Sequence, residues 1–150
     1  MIKTIIFDFY RTIYDPEFGC FNQGALEILE NLRKSCRLFL ISTGREERKR
    51  LIDGLNLKKF FVRILVVGEE KQKEDFLYCL KEGKCRCKET VVVGDSLGSE
   101  IIIGKSLGMF TIRLLKGKFS KEKAVQGNKP DYEIKSLLEL PSLIARIERR

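Results

Sequence analysis

Four groups of residues placed after apolar runs, or close to one, could do chemistry in this chain. Asp8 follows Ile5-Ile6-Phe7, Ser42-Thr43-Gly44 follows Leu38-Phe39-Leu40-Ile41, and Asp95-Ser96 follows Val91-Val92-Val93-Gly94. Lys73 stands near the start of a helix-like segment marked by Phe76, Leu77 and Leu80. Two close carboxylates repel each other and invite a hard cation, most simply Mg²⁺. Such a cation and Lys73 can bind a phosphate, with the hydroxyl of Ser42 or Thr43 and the N-terminus of the helix after Gly44 adding donors. One carboxylate can then attack phosphorus and form an aspartyl-phosphate. A lone Asp at a strand end is ordinarily a turn residue or a cap. Two of them, joined by a hydroxyl and a lysine, make that reading inadequate. The chain contains no histidine, which excludes a Ser-His-Asp triad, a Cys-His dyad and any His-ligated metal.

These residues need elements to position them, and the apolar pattern supplies strands alternating with helices. Ile2–Phe7, Arg37–Ile41, Val62–Val67, Thr90–Val93 and Met109–Leu114 read as five strands. Between them, Leu26, Leu29 and Leu32, then Leu51, Ile52 and Leu55, then Phe76 and Leu80, then Leu97, Ile101 and Leu107 mark helices. Thr43 and Glu46 have the spacing of a capping box. A Lys-rich loop over residues 116–128 precedes a closing helix over 137–147, with Pro141 near its start. This alternation predicts an α/β, three-layer α/β/α Rossmann-like domain with a mainly parallel five-stranded sheet. In such sheets the ligand sits at the carboxyl ends of the strands, where the topology switches direction.

The length, 150 residues, is that of one domain. Its longest unbroken apolar runs have about four residues against the roughly 20 of a membrane helix. The N-terminus enters a strand-like run at once, without a signal-peptide pattern, so the expected location is cytoplasmic. A net charge of +8 reads as a solvated basic surface or a groove for an anionic substrate. A nucleic-acid partner would rest on that charge alone and is not expected. High Lys and Glu without Trp fits a heat-adapted protein. Five scattered cysteines, with Cys79, Cys85 and Cys87 closest together, read as buried or free thiols.

Read in order, these segments resemble the haloacid dehalogenase-like (HAD) hydrolase superfamily across nearly the whole chain. Ile5-Ile6-Phe7-Asp8-Phe9-Tyr10-Arg11-Thr12-Ile13 is similar to its first motif, Ser42-Thr43-Gly44-Arg45 to its second, Lys73-Glu74-Asp75-Phe76 to its third and Val93-Gly94-Asp95-Ser96 with Glu100-Ile101 to its fourth. The resemblance implies Asp8 as nucleophile. It implies Mg²⁺ held by Asp8, Asp95 and the backbone carbonyl of Tyr10, with Glu100 as an outer ligand. Thr43, or Ser42 in its place, would position the phosphoryl group of a phosphorylated substrate, and Lys73 would neutralise it and restrain Asp8. About 30 residues lie between the first and second motifs and again between the second and third. One helix and one strand use each interval, so residues 1–150 are expected to be one core domain without a cap. A bulky substrate, or a neighbouring subunit in a homo-oligomer, would then shield the site.

The chain departs from the resemblance at two positions. Phosphatases of the superfamily carry Asp two residues after the nucleophile, to protonate the leaving oxygen and then activate water; this chain has Tyr10. A phenol, with an ordinary pKa of about 10, is a poor base near neutrality. The expectation is a Mg²⁺-dependent phosphatase slowed at this step. The alternatives are a phosphate- or metal-binding domain without turnover, and a haloacid dehalogenase, whose halide leaving group needs no proton. The acidic Gly94-Asp95 motif, which dehalogenases lack, weighs against the last. Arg11 replaces a usual Gly and is available to an anionic substrate.

Overall fold

In a computed structural model describing residues 1–149, eight strands and five helices alternate along the chain. The strands are β1 (Thr4–Asp8), β2 (Tyr14–Asp15), β3 (Cys20–Phe21), β4 (Arg37–Ser42), β5 (Arg63–Val66), β6 (Thr90–Gly94), β7 (Phe110–Leu114) and β8 (Tyr132–Ile134). The helices are α1 (Ala25–Leu32), α2 (Arg45–Gly54), α3 (Lys73–Gly83), α4 (Ile102–Leu107) and α5 (Leu140–Glu148). Six strands form one sheet in the order β5-β4-β1-β6-β7-β8, every neighbouring pair parallel.

The period-two alternation of each strand divides the core between the two faces of the sheet. Ile5, Phe7, Leu38, Leu40, Val91 and Val93 pack with α1, α5 and Ile52 of α2. Ile6, Phe39, Ile41 and Val92 pack with Phe76, Cys79 and Leu80 of α3 and with Ile103 and Leu107 of α4. This is the three-layer architecture expected of a near-continuous apolar strand pattern. Burying one of the fully enclosed Phe side chains, such as Phe7 or Phe39, is worth roughly 1.5–3 kcal/mol. None of the described helices is long and apolar enough to cross a membrane.

The sheet has six strands rather than five. The sixth, β8, is three residues long, pairs only with β7, and follows the Lys-rich loop that hides it from a periodicity reading. Strands β2 and β3 form a two-stranded antiparallel hairpin after β1. Two residues per strand leave no alternation to detect. Leu26 and Leu77 face solvent; α1 instead buries Ala25, Ile28, Leu29 and Leu32. The expected capping box at Thr43 is also absent. Gly44, in the left-handed region at φ 107°, caps α2, a conformation that glycine adopts without steric cost.

The connection from β7 to β8 is pinned from inside. Arg113, buried in β7, donates through Nη2 to the carbonyls of Phe119 (2.7 Å), Ser120 (3.3 Å) and Glu122 (2.6 Å), and through Nη1 to Glu133 (3.0 Å).

Candidate active site

β1 runs beside β4 on one side and β6 on the other. The chain order reverses direction there, and both acidic strand ends open onto the same crevice. Asp8 is the last residue of β1, and Asp95 follows β6 directly. After Asp95 the backbone winds into an irregular wide turn, Leu97–Ile101, with Ser99 outside helical geometry (φ −123°, ψ −106°). Such wide turns recur at functional sites. This one folds Glu100 back over the strand end. Its Oε1 accepts from the amides of Asp95 (3.0 Å) and Ser96 (3.1 Å). Gly94 makes the approach feasible, because a Cβ there would stand 2.2 Å from Glu100 Cγ and Oε1.

One ligand atom from each of Asp8, Asp95 and Glu100 lies within 4.8 Å of the others. Three basic or hydroxyl partners hold this cluster. Lys71 Nζ donates to Asp8 Oδ1 (2.5 Å) and to Glu100 Oε2 (3.1 Å). Thr12 Oγ1 donates to Asp8 Oδ2, and Arg11 Nε to Asp95 Oδ2, each at 3.1 Å. Arg11 has a left-handed backbone (φ 63°), the conformation for which Gly is the default. Burial alone would lower the Lys71 ammonium, but Asp8 and Glu100 more than offset it and hold it above its usual range. Asp95 is pushed up to about 9, chiefly by burial and then by the charges of Asp8 and Glu100, with Arg11 opposing. A buried carboxylate that resists ionising beside two others is a site short of positive charge. A divalent cation supplies that charge, and Mg²⁺ characteristically binds through one or two carboxylates plus water and phosphate oxygens. The donor set therefore fits Mg²⁺.

The cluster forms the floor of a cleft of about 200 Å³ whose lining includes Asp8, Tyr10, Arg11, Thr43, Asp95 and Glu100, all singled out in the sequence. Ser42 is buried, its Oγ turned to the Thr43 carbonyl (2.9 Å) and to Arg48 (3.0 Å). That leaves Thr43 as the hydroxyl of the pair facing the cleft. Gly44 is exposed at the cap of α2.

Lys73 is the clear correction. It is the first residue of α3, exposed, and outside the cleft, because Gln72 and Asp75 form the capping box that starts the helix there. The lysine on the carboxylates is Lys71, on the loop that crosses the strand ends before the helix. The same capping box is a sequence signal that could have separated the two. Arg48, Thr12, Ser99 and Phe119 were also missed. The cysteines are free, and none belongs to a metal-ligating cluster among the described residues. A roomier groove, about 550 Å³, lies along β5 between α2 and α3. Its lining includes Asp53, Glu74 and Asp75 with Lys49 and Lys58, but these carboxylates form no metal-ligating cluster among the described residues.

A model of HAD-hydrolase-like proteins matches residues 72–140, which contain Asp95 and the Glu100 turn. Over that stretch the chain is similar to the haloacid dehalogenase-like hydrolases. Similar proteins include a glyceraldehyde 3-phosphate phosphatase of Methanocaldococcus jannaschii, 38% identical over 114 residues, covering 66% of this chain and 49% of that protein. The human N-acylneuraminate-9-phosphatase is 29% identical over 127 residues, covering 81% of this chain and 50% of that protein. The chain thus spans about half the length of the curated relatives it matches. Among solved structures, a haloacid dehalogenase-like family hydrolase from Xanthomonas campestris superposes with a TM-score of 0.80 over 99% of each chain at 15% identity. That likeness concerns the fold.

Proposed function

We propose that this HAD-like chain is the core of a Mg²⁺-dependent phosphomonoester hydrolase that works through an aspartyl-phosphate on Asp8. The observation that carries the reading is the buried set Asp8, Asp95 and Glu100 with Lys71 wedged between two of its members. When bound, Mg²⁺ neutralises the phosphoryl oxygens and the carboxylates that face them. Asp8, Asp95 and the Tyr10 carbonyl would hold it, while Glu100 accepts from the amides of Asp95 and Ser96. Lys71 fixes the Asp8 carboxylate, and Thr12 holds its other oxygen. One Asp8 oxygen attacks phosphorus; the ester oxygen leaves with its electron pair; water then releases phosphate and regenerates Asp8. Thr43, in the cleft lining, would donate to the phosphoryl group.

The relatives' names concern phosphorylated small molecules, which supports a substrate of that kind. We read residues 1–150 as one cytoplasmic core domain without a cap: only the small β2–β3 hairpin and α1 lie between β1 and β4, and only α2 and a short turn between β4 and β5. Hydrolysis of a generic aryl phosphate with Mg²⁺ and with EDTA tests the function. Turnover that needs the metal and disappears in Asp8→Asn is expected; turnover unaffected by Asp8→Asn would sink the mechanism.

One observation favours a second reading, binding without turnover. The Tyr10 ring packs against Phe9 and Tyr14, with centroids 5.9 and 6.1 Å away, and puts no carboxylate where the leaving oxygen departs. Mg²⁺ binding by calorimetry with silence on a broad phosphoester panel would select it. Halide release from 2-haloacids without Mg²⁺ would select the dehalogenase reading instead.

A further inference from the structure

Three cations line the cleft, and two are already engaged. Lys71 serves Asp8 and Glu100, and Arg11 serves Asp95. Arg48 has no carboxylate partner among the described residues; it donates one hydrogen bond, from Nη1 to Ser42 Oγ. A guanidinium carries five N–H donors in a rigid plane. Most of this one's capacity is therefore unspent, at a half-buried position in the cleft wall.

The pose of Arg48 is built by its neighbours. Its Cζ lies 3.3 Å from the centroid of the Tyr10 ring, so the ring serves as a platform for the charge. Gly44 leaves the space on another side: a Cβ there would meet Arg48 Cβ at 2.8 Å, Cζ at 3.1 Å and Nη2 at 3.2 Å. Ser42 Oγ fixes one nitrogen. Aromatic platform, glycine gap and buried hydroxyl together hold a planar donor fork, the geometry suited to a carboxylate or phosphate.

We infer that Arg48 is a specificity-determining residue, binding a second anionic group on the substrate, a carboxylate or a further phosphate close to the scissile phosphoryl group. This inference rests on reading the cleft as a phosphoryl site. Under that reading Thr43 and the cation that Asp8 and Asp95 would hold serve the scissile group. Arg48 stacks on Tyr10; under that reading residue 10 stands where the leaving oxygen departs, so the Arg48 charge lies toward the leaving portion of the substrate. The small cleft places that group only a few atoms from phosphorus. The Lys-rich loop that carries Phe119 into the cleft adds diffuse positive charge in the same sense.

Binding of three phosphonates, measured by calorimetry in Mg²⁺, tests this without requiring turnover. Propylphosphonate carries a neutral tail, 3-phosphonopropionate a carboxylate and propane-1,3-diphosphonate a second phosphonate. The wild type should bind at least one doubly anionic probe about tenfold or more tighter than propylphosphonate. The stronger of the two identifies the source of the anion. Arg48→Leu should bring the probes to within about threefold of each other, and Arg48→Lys should retain part of the preference. Equal affinities in the wild type, a preference that survives Arg48→Leu, or no binding of any probe would overturn the inference. Kinetics on phosphoglycolate and ethyl phosphate separate this from the phosphatase reading. A binding preference without turnover of either ester sinks that reading and leaves Arg48 its role; turnover of both without a preference does the reverse.

Discussion

Lys71 reaches Asp8 from the loop that precedes α3, 63 positions along the chain, and only 3% of its side chain is exposed. Removing it would leave Asp8 and Glu100 as buried carboxylates facing each other. Breaking such a buried pair costs about 3–5 kcal/mol. Lys71→Met should therefore show a loss of that order in urea denaturation in EDTA, part of it recovered by Mg²⁺, together with near-complete loss of turnover. Lys73→Met, on an exposed helix position, should change stability by no more than about 0.5 kcal/mol and leave turnover near wild type. Equal effects of the two substitutions would refute the assignment.

Asp95 is pushed up to about 9, while a carboxyl of this type in an unfolded chain titrates near 3.9. Between those values the folded chain keeps a proton that the unfolded chain has released. Stability from this group is thus complete below about pH 4 and declines as pH rises toward about 9. In EDTA, the urea midpoint of the wild type should fall more steeply from about pH 5 to about pH 8.5 than that of Asp95→Asn. Mg²⁺ favours the ionised carboxylate, so its stabilising effect should grow over the same range. Parallel pH profiles of the two proteins would contradict this.

Gly94→Ala would place a methyl group 2.2 Å from Glu100. Overpacking of this kind costs roughly 1–3 kcal/mol. Glu100 must yield, releasing the amides of Asp95 and Ser96. Mg²⁺ affinity should drop by about tenfold or more, in the range seen when outer-shell partners are removed. Titration calorimetry reads it directly, and unchanged affinity would mean that Glu100 is not needed behind the metal.

Tyr10→Asp restores a carboxylate where the leaving oxygen departs. General acid–base catalysis is typically worth 10²–10⁴-fold. The gain should be largest for alkyl phosphates, whose leaving groups need the proton, and small for aryl phosphates. A uniform change across both would show that the substitution acts only by removing the platform under Arg48.

Much of this site could be read from residue order because the sheet imposes it. A buried parallel strand must be apolar, so the first polar residues after each run mark the carboxyl edge; Asp8 and Asp95 declare themselves that way, and so does the pair Ser42-Thr43, of which only the structure turns Thr43 to the cleft. Lys71 and Lys73 are separated by one residue, and only the capping box that starts α3 decides which faces the crevice. Arg48 sits within the run Arg45-Glu46-Glu47-Arg48-Lys49-Arg50, where local pattern cannot single out one charge. Its distinction comes from Tyr10, 38 positions away, and from the gap at Gly44. Strand β8 was invisible for a related reason: three residues carry little periodicity, and their partner lies across a long connection.

The clamp that Arg113 places on the carbonyls of Phe119, Ser120 and Glu122 divides its loop into unequal halves. The inner half, with Phe119 under the Arg11 guanidinium (4.9 Å), is anchored to the sheet. The outer half, around Ala124–Gly127, is exposed and bears none of that anchoring. Insertions are best tolerated at such exposed tips. Lineages of this fold could therefore graft new recognition segments at residues 124–127 while the wall beside the carboxylates stays fixed, and so acquire new substrates without rebuilding the chemistry.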